Sequence, residues 1–191
     1  YFVYRDGEYI DVSGKSFRDF MARKLSPVEH ITPMMGDWED QLTLPFPEVR
    51  LKRFIEMRGA DGGPWRSLCA LPALWVGLIY DQTALDSAWD LCRDWTNEER
   101  EYLRAETPKT ALDTPFRNGT VLDIAREMIA IAETGLKNRA RENGIGEDET
   151  IFLAELREIA ESGKTRAQEL LEAYEGRWAG DIDKVYGEMS Y

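Results

Sequence analysis

Residues Pro47-Glu48-Val49-Arg50-Leu51-Lys52-Arg53-Phe54-Ile55-Glu56-Met57-Arg58 alternate with a period of two, and Gly59-Ala60-Asp61-Gly62-Gly63-Pro64 breaks the pattern at once. Read as one β-strand, the run sends Val49, Leu51, Ile55 and Met57 to one face, with Arg53 as the intruder. Arg50, Lys52, Phe54, Glu56 and Arg58 go to the other. Before this run the sequence is strand-like, with short helices between; from Trp65 onward it reads as helix alone. That uneven distribution predicts an α+β chain with strands early and helices late. It divides into 1–64, strands with short helices, and 65–191, a helical region packing on a sheet.

The opening Tyr1-Phe2-Val3-Tyr4-Arg5-Asp6-Gly7-Glu8-Tyr9-Ile10-Asp11-Val12 is a hairpin pattern turned at Asp6-Gly7. Ser16 caps a short helix to about Leu25, and Asp37 caps another that Pro45 and Pro47 end. The apolar stretch Leu68 to Tyr80 reads as a core helix kinked or restarted at Pro72, and is too short to span a bilayer in the usual way. Thr83 marks a helix start, while Thr96–Glu99 and Thr165–Gln168 are capping boxes. Val121, Ala125, Met128, Ala132 and Leu136 make one face of a helix stopped by Gly144. A further helix covers 149–161, and others lie at 164–174 and 181–189. About three strands are too few for an independently stable sheet, so the remaining strands are expected from a portion of the polypeptide upstream of Tyr1.

The net charge of −12 over 191 residues argues against sequence-independent nucleic-acid binding, which needs lysine and arginine to neutralise phosphates. No membrane segment is expected, and the acidity suits a soluble cytoplasmic protein. Cys69 and Cys92 are the two cysteines and His30 is the single histidine, so free thiols are favoured and a soft-ligand zinc site is not. Cys69 reads as a buried small hydrophobe, and Trp75 and Trp89 as core.

Against the acidic background, the cationic row of 50–58 stands out. Charged residues on one strand face are most often a solvated side, and Glu56 and Arg58 have the further option of pairing with strands outside this chain. The functional reading is different. Glu56 and Arg58, two residues and ~7 Å apart along the strand, suit a carboxylate holding a magnesium ion and a guanidinium gripping an oxyanion. Arg50 and Lys52 extend the phosphate-contacting row. Trp65 is a candidate apolar wall over a small ligand, or else a core anchor at a helix start.

The block Phe46 to Trp65, then Cys69-Ala70-Leu71-Pro72-Ala73-Leu74-Trp75-Val76-Gly77-Leu78-Ile79-Tyr80-Asp81, resembles glutamate–cysteine ligase of the plant and alphaproteobacterial type. The likeness continues in Asp94-Trp95-Thr96, Thr114-Pro115-Phe116-Arg117-Asn118-Gly119 and Ala132-Glu133-Thr134-Gly135-Leu136. The resemblance implies part of a glutamine-synthetase-like antiparallel sheet followed by a mostly helical C-terminal region. It also implies ATP-dependent joining of the L-glutamate γ-carboxylate to the amine of L-cysteine through a γ-glutamyl phosphate, with ATP and Mg2+ as cofactors. On that resemblance Glu56 is the metal-binding carboxylate and Arg58 the catalytic arginine that also contacts substrate. Trp65 falls near the glutamate pocket, and Arg50 and Lys52 serve the nucleotide.

The family pattern Trp-x-Asp-His-Leu-Thr-Thr-x-Phe-Pro is altered in Trp38 to Pro47, where Gln41 replaces the histidine and Leu44-Pro45 changes the turn. The chain alone, lacking the rest of the sheet, is expected to be inactive. Its helical region leaves room for a homodimer. A related ligase with another acceptor amine, or a helical interaction module, is the alternative.

Overall fold

A computed structural model describes residues 1–44 and 46–190 and divides the chain into two compact units, Tyr1–Ala60 and Asp61–Tyr191. The helices and small antiparallel sheets make an α+β chain.

In the first unit, β1 (Phe2–Arg5) and β2 (Glu8–Asp11) form the expected hairpin, with Val3 opposite Ile10. Asp6 and Gly7 both take positive φ, +52° and +87°, the geometry that suits a two-residue turn to strand twist. Ser16 caps α1 (Phe17–Met21) by accepting from the Asp19 N–H. This helix is shorter than expected, because Arg23 enters the left-handed region at φ +56°. Val3, Val12, Phe20, Leu25, Val28 and Ile31 form the core.

Helix α2 (Met35–Thr43) does not start from Asp37 as a cap. Asp37 sits in its first turn, and its carboxylate accepts from the Met34 N–H at 2.6 Å and from both Nη atoms of Arg5 at 2.6 and 2.7 Å. Asp37 thus caps from the third helical position, on the Met34 N–H, and takes the long-range fork from Arg5, 32 residues away, as well. Pro45, expected to help end this helix, lies outside the described residues.

The run expected as one strand is a second hairpin. β3 (Val49–Leu51) pairs with β4 (Ile55–Met57) in the register Val49–Met57, Arg50–Glu56 and Leu51–Ile55. Residues 52–54 form the loop, closed by a 2.9 Å bond from the Lys52 N–H to the Phe54 carbonyl.

The second unit is built on α3 (Trp65–Ile79), one continuous helix through Pro72, and α6 (Val121–Arg139). The two helices touch backbone to backbone at Gly77 and Gly135. A Cβ on Gly135 would overlap the Gly77 carbonyl and lie 2.9 Å from the Ala84 Cβ, while one on Gly77 would overlap the Ala132 backbone. Around this crossing Ala73, Leu78, Ala132, Leu136 and Leu153 are buried, with Trp75 packed against them.

Helix α4 (Gln82–Cys92) begins at Asp81, whose carboxylate caps the Ala84 N–H at 2.9 Å, two residues before the expected Thr83. The α5 (Asn97–Thr110) and α8 (Arg166–Glu175) helices start at the Thr96 and Thr165 boxes as read. Between α5 and α6 a third hairpin, β5 (Pro115–Phe116) and β6 (Gly119–Thr120), went unforeseen. Helix α6 ends at Ala140, in the left-handed region at φ +49°, four residues before Gly144. A 3-10 turn (Glu149–Leu153) leads into α7 (Ala154–Ser162), which Gly163 stops. The chain closes with α9 (Lys184–Glu188).

Trp89 is 59% exposed rather than core, and Cys69 is half-buried. Both cysteines are free thiols. Among the described residues no single helix is long and apolar enough to cross a membrane; α3 and α4 together have the composition but meet at 93°.

Two outcomes follow from these contacts. On an open helix face Gly→Ala stabilises by about 1 kcal/mol. At Gly135 the sign reverses, and Gly135→Ala lowers the unfolding free energy from urea titration of the intact protein by about 3 kcal/mol. Asp37, its side chain 5% exposed, is held below the usual carboxylate range first by the Arg5 hydrogen bonds. A depressed folded value stabilises the fold above the unfolded value of about 4, and that contribution is lost as pH falls through the folded value. Asp37→Asn therefore costs about 2 kcal/mol at pH 7, and the gap to the wild type closes in acid denaturation below pH ~4.

Candidate active site

The β3–β4 hairpin brings four of the five predicted site residues onto one small element. Its register places Arg50 directly opposite Glu56, so the two side chains share a face. Arg50 Nε donates to Glu56 Oε2 at 2.7 Å, and Nη2 makes an ion-pair contact with the same oxygen at 2.6 Å. Both side chains keep partial access to solvent. Glu56 thus pairs within this chain, where strands outside it were one expectation. No described residue donates to Glu56 Oε1.

Arg58 continues β4 by one rung, its N–H donating to the Glu48 carbonyl at 2.8 Å. That rung puts Arg58 on the charged face by the alternation of the pleat. Its guanidinium lies 5.5 Å from the centre of the Phe46 ring, a cation–π contact that holds it without neutralising its charge. Phe46 is the residue the sequence reading missed. Its signal was parity: it falls on the same alternate positions as Arg50. Among the described residues Arg58 has no ion-pair partner, so it offers a charge for an anion.

Lys52 and Phe54 are corrected from strand to loop, where both are exposed. Lys52 is therefore placed by the loop and not by the pleat. Trp65 belongs to the other unit, as the first residue of α3, and is 76% exposed, so it is not a core anchor there. The glycine run makes a close approach only at Gly63, and to a side chain rather than backbone: a Cβ there would lie 2.8 Å from the Ser67 Cβ of the same unit's α3.

The opposite face of the hairpin is apolar and uncovered. Leu51 and Ile55 are 80% and 74% exposed, with Val49 beside them. The altered segment before it shows Gln41 on α2 with its Oε1 buried and without a hydrogen-bond partner among the described residues. No group of three or more histidine, cysteine, aspartate or glutamate side chains that could hold a metal ion occurs among the described residues. Glu56 alone supplies an available carboxylate oxygen here. That fits magnesium, which takes one or two protein carboxylates together with phosphate oxygens.

The motifs Asp94-Trp95-Thr96 and Thr114 to Gly119 meet elsewhere, in a structural clasp. Arg117, at φ +51° in the β5–β6 turn, donates Nε and Nη2 to the two Glu99 oxygens at 2.8 Å each, and Nη1 to Asp94 at 3.0 Å. Phe116 meets Trp95 edge-on at 5.0 Å. The Arg117 hydrogen bonds, then the Thr96 N–H, lower the Glu99 carboxyl to about 2.

The sequence has close counterparts. The chain belongs to the glutamate-cysteine ligase family 2 (GCS2), whose family model matches residues 1–188. It is similar to the chloroplastic glutamate–cysteine ligase of Nicotiana tabacum, 51% identical over the whole of this chain and 35% of that protein. Glutamate–cysteine ligase A of Oryza sativa subsp. indica is 52% identical over the whole chain and 38% of its own length. The Arabidopsis thaliana protein is 49% identical over the whole chain and 35% of its length. The chain thus spans little more than a third of these curated relatives. All three are chloroplastic by name, which overturns the cytoplasmic location expected from the acidic composition. Net charge speaks to solubility and partners, not to the compartment.

Arg117→Met raises the Glu99 carboxyl from about 2 toward the ordinary glutamate value of about 4.3, stopping short of it because the Thr96 N–H still donates, read by carboxyl NMR titration. Because the folded value is depressed, the stability the clasp confers is complete above the unfolded value. It is lost only as pH falls toward about 2.

Proposed function

We propose that the intact protein carrying this chain is an ATP-dependent ligase that joins L-glutamate to L-cysteine through γ-glutamyl phosphate. The charged hairpin face is read as one wall of its active site. The observation that carries the reading is the pairing of opposite chemistries on one rigid element of a GCS2 chain. Glu56 keeps one carboxylate oxygen unengaged, and Arg58 keeps its charge unneutralised. The uncovered apolar face behind them suits a hairpin that continues into a larger, glutamine-synthetase-like sheet.

Arg58 binds oxygens of the phosphoryl group in flight and favours the transition state, where negative charge is spread over those oxygens. Lys52, free to move on its loop, contacts the nucleotide phosphates. Glu56, with Oε1 unengaged, would hold magnesium, and the ion would supply neutralisation of the phosphate charge. The γ-carboxylate attacks the terminal phosphorus of ATP, and ADP leaves. The cysteine amine, having given up its proton, then attacks the acyl carbon, and inorganic phosphate leaves. Trp65, exposed at the start of α3, is the candidate residue for contact with glutamate. Arg50, with its guanidinium committed to Glu56, acts on the carboxylate rather than on phosphate.

In the intact protein, Glu56→Gln and Arg58→Ala each lower kcat/KM for γ-glutamylcysteine formation by about 100-fold or more, with the unfolding midpoint held. Activity within twofold of the wild type in both would remove the hairpin from the site. Residues 1–191 alone show no turnover in the same assay.

A further inference from the structure

The geometry points to Arg50 as a positioning residue that makes Glu56 a one-oxygen metal ligand and thereby favours magnesium over calcium. The inference rests on the reading of Glu56 as the metal carboxylate. It adds the residue that sets which metal is preferred.

The argument starts from the register. Arg50 and Glu56 are directly opposed, one residue in from each end of two three-residue strands, so neither backbone can shift without breaking the ladder. Across that rung the guanidinium does not adopt the usual fork in which each nitrogen takes its own oxygen. Nε donates to Oε2 at 2.7 Å, and Nη2 lies 2.6 Å from the same oxygen as an ion-pair contact. The consequence is asymmetric. Oε2 is engaged by the guanidinium, and a dication approaching it meets that positive charge. Oε1 has no donor among the described residues.

Cations differ in what they ask of a carboxylate. Calcium takes six to eight oxygens in flexible geometry and often binds both oxygens of one carboxylate. Magnesium demands a near-octahedral shell, keeps several waters and is content with single oxygens. Locking one oxygen of Glu56 therefore withholds from calcium the two-oxygen contact it can use, and withholds nothing that magnesium needs. The arginine also lowers the affinity for any dication through its charge. That effect is common to both metals and cancels in the ratio of their affinities.

The test is made on the intact, nucleotide-free protein with Mn2+ as the probe. Bound Mn2+ is followed by electron paramagnetic resonance and displaced by Mg2+ or Ca2+. In Arg50→Gln the affinity for Ca2+ relative to Mg2+ rises about tenfold over the wild type. Arg50→Lys retains the charge but not the Nε hydrogen bond that fixes Oε2, and moves the ratio the same way by a smaller factor. It carries the test if the glutamine variant does not fold. A ratio unchanged within twofold in the folded variants, while Glu56→Gln loses Mn2+ binding, overturns the role of Arg50 and leaves the metal reading standing. Mn2+ binding that survives Glu56→Gln overturns the metal reading itself.

Discussion

The helical unit depends on one close approach. Gly77 on α3 and Gly135 on α6 let two backbones meet with no side chain between them, and any Cβ at either position would collide with the facing main chain. Because the helices are this close, Ala73, Leu78, Ala132, Leu136 and Leu153 are buried together around the crossing. The neighbouring elements then fall into place. Ala84 at the start of α4 lies against Gly135, and Ser67 and Arg66 on α3 bond Glu155 and Glu158 on α7 at 2.8 and 2.6 Å. Small residues here fix distance, and distance fixes the core.

The hairpin unit solves a different problem. It holds like and unlike charges within one short ladder, and the register decides which are spent and which remain. Arg50 is committed to Glu56, and Arg5 to Asp37, where the carboxylate is buried and both oxygens are used. Arg58 is held by an aromatic ring instead. Three arginines in one unit thus have three environments. The one resting on a π-face keeps the electrostatic capacity that a transferring phosphoryl group needs.

Much of this was legible from local chemistry. The caps Ser16, Thr96 and Thr165 were read correctly because a cap is satisfied within three residues. The faces of the paired residues 49–51 and 55–57 were also read correctly, although the single strand was not and 52–54 lie in the loop. A hairpin whose loop has an odd number of residues keeps the same parity on both strands, so Arg50 and Glu56 share a face either way. The loop itself was invisible, since Lys52-Arg53-Phe54 contains none of the usual turn residues. Asp37 was placed at the cap itself, whereas it bonds the Met34 N–H from the third helical position, and its Arg5 partner, 32 residues away, left no local sign. The end of α6 at Ala140 was hidden because alanine gives no sign of a left-handed conformation. Phe46 was missed because its value lies in what stacks on it.

The charged hairpin face as a wall of an acyl-phosphate-forming site is most directly tested by following an oxygen atom. With glutamate labelled by 18O in its γ-carboxylate, the intact wild-type protein transfers one labelled oxygen to inorganic phosphate for each γ-glutamylcysteine formed. Arg58→Ala, still folded, suppresses that transfer together with product. Unlabelled phosphate from the wild type, or full labelled transfer by Arg58→Ala, would contradict the account.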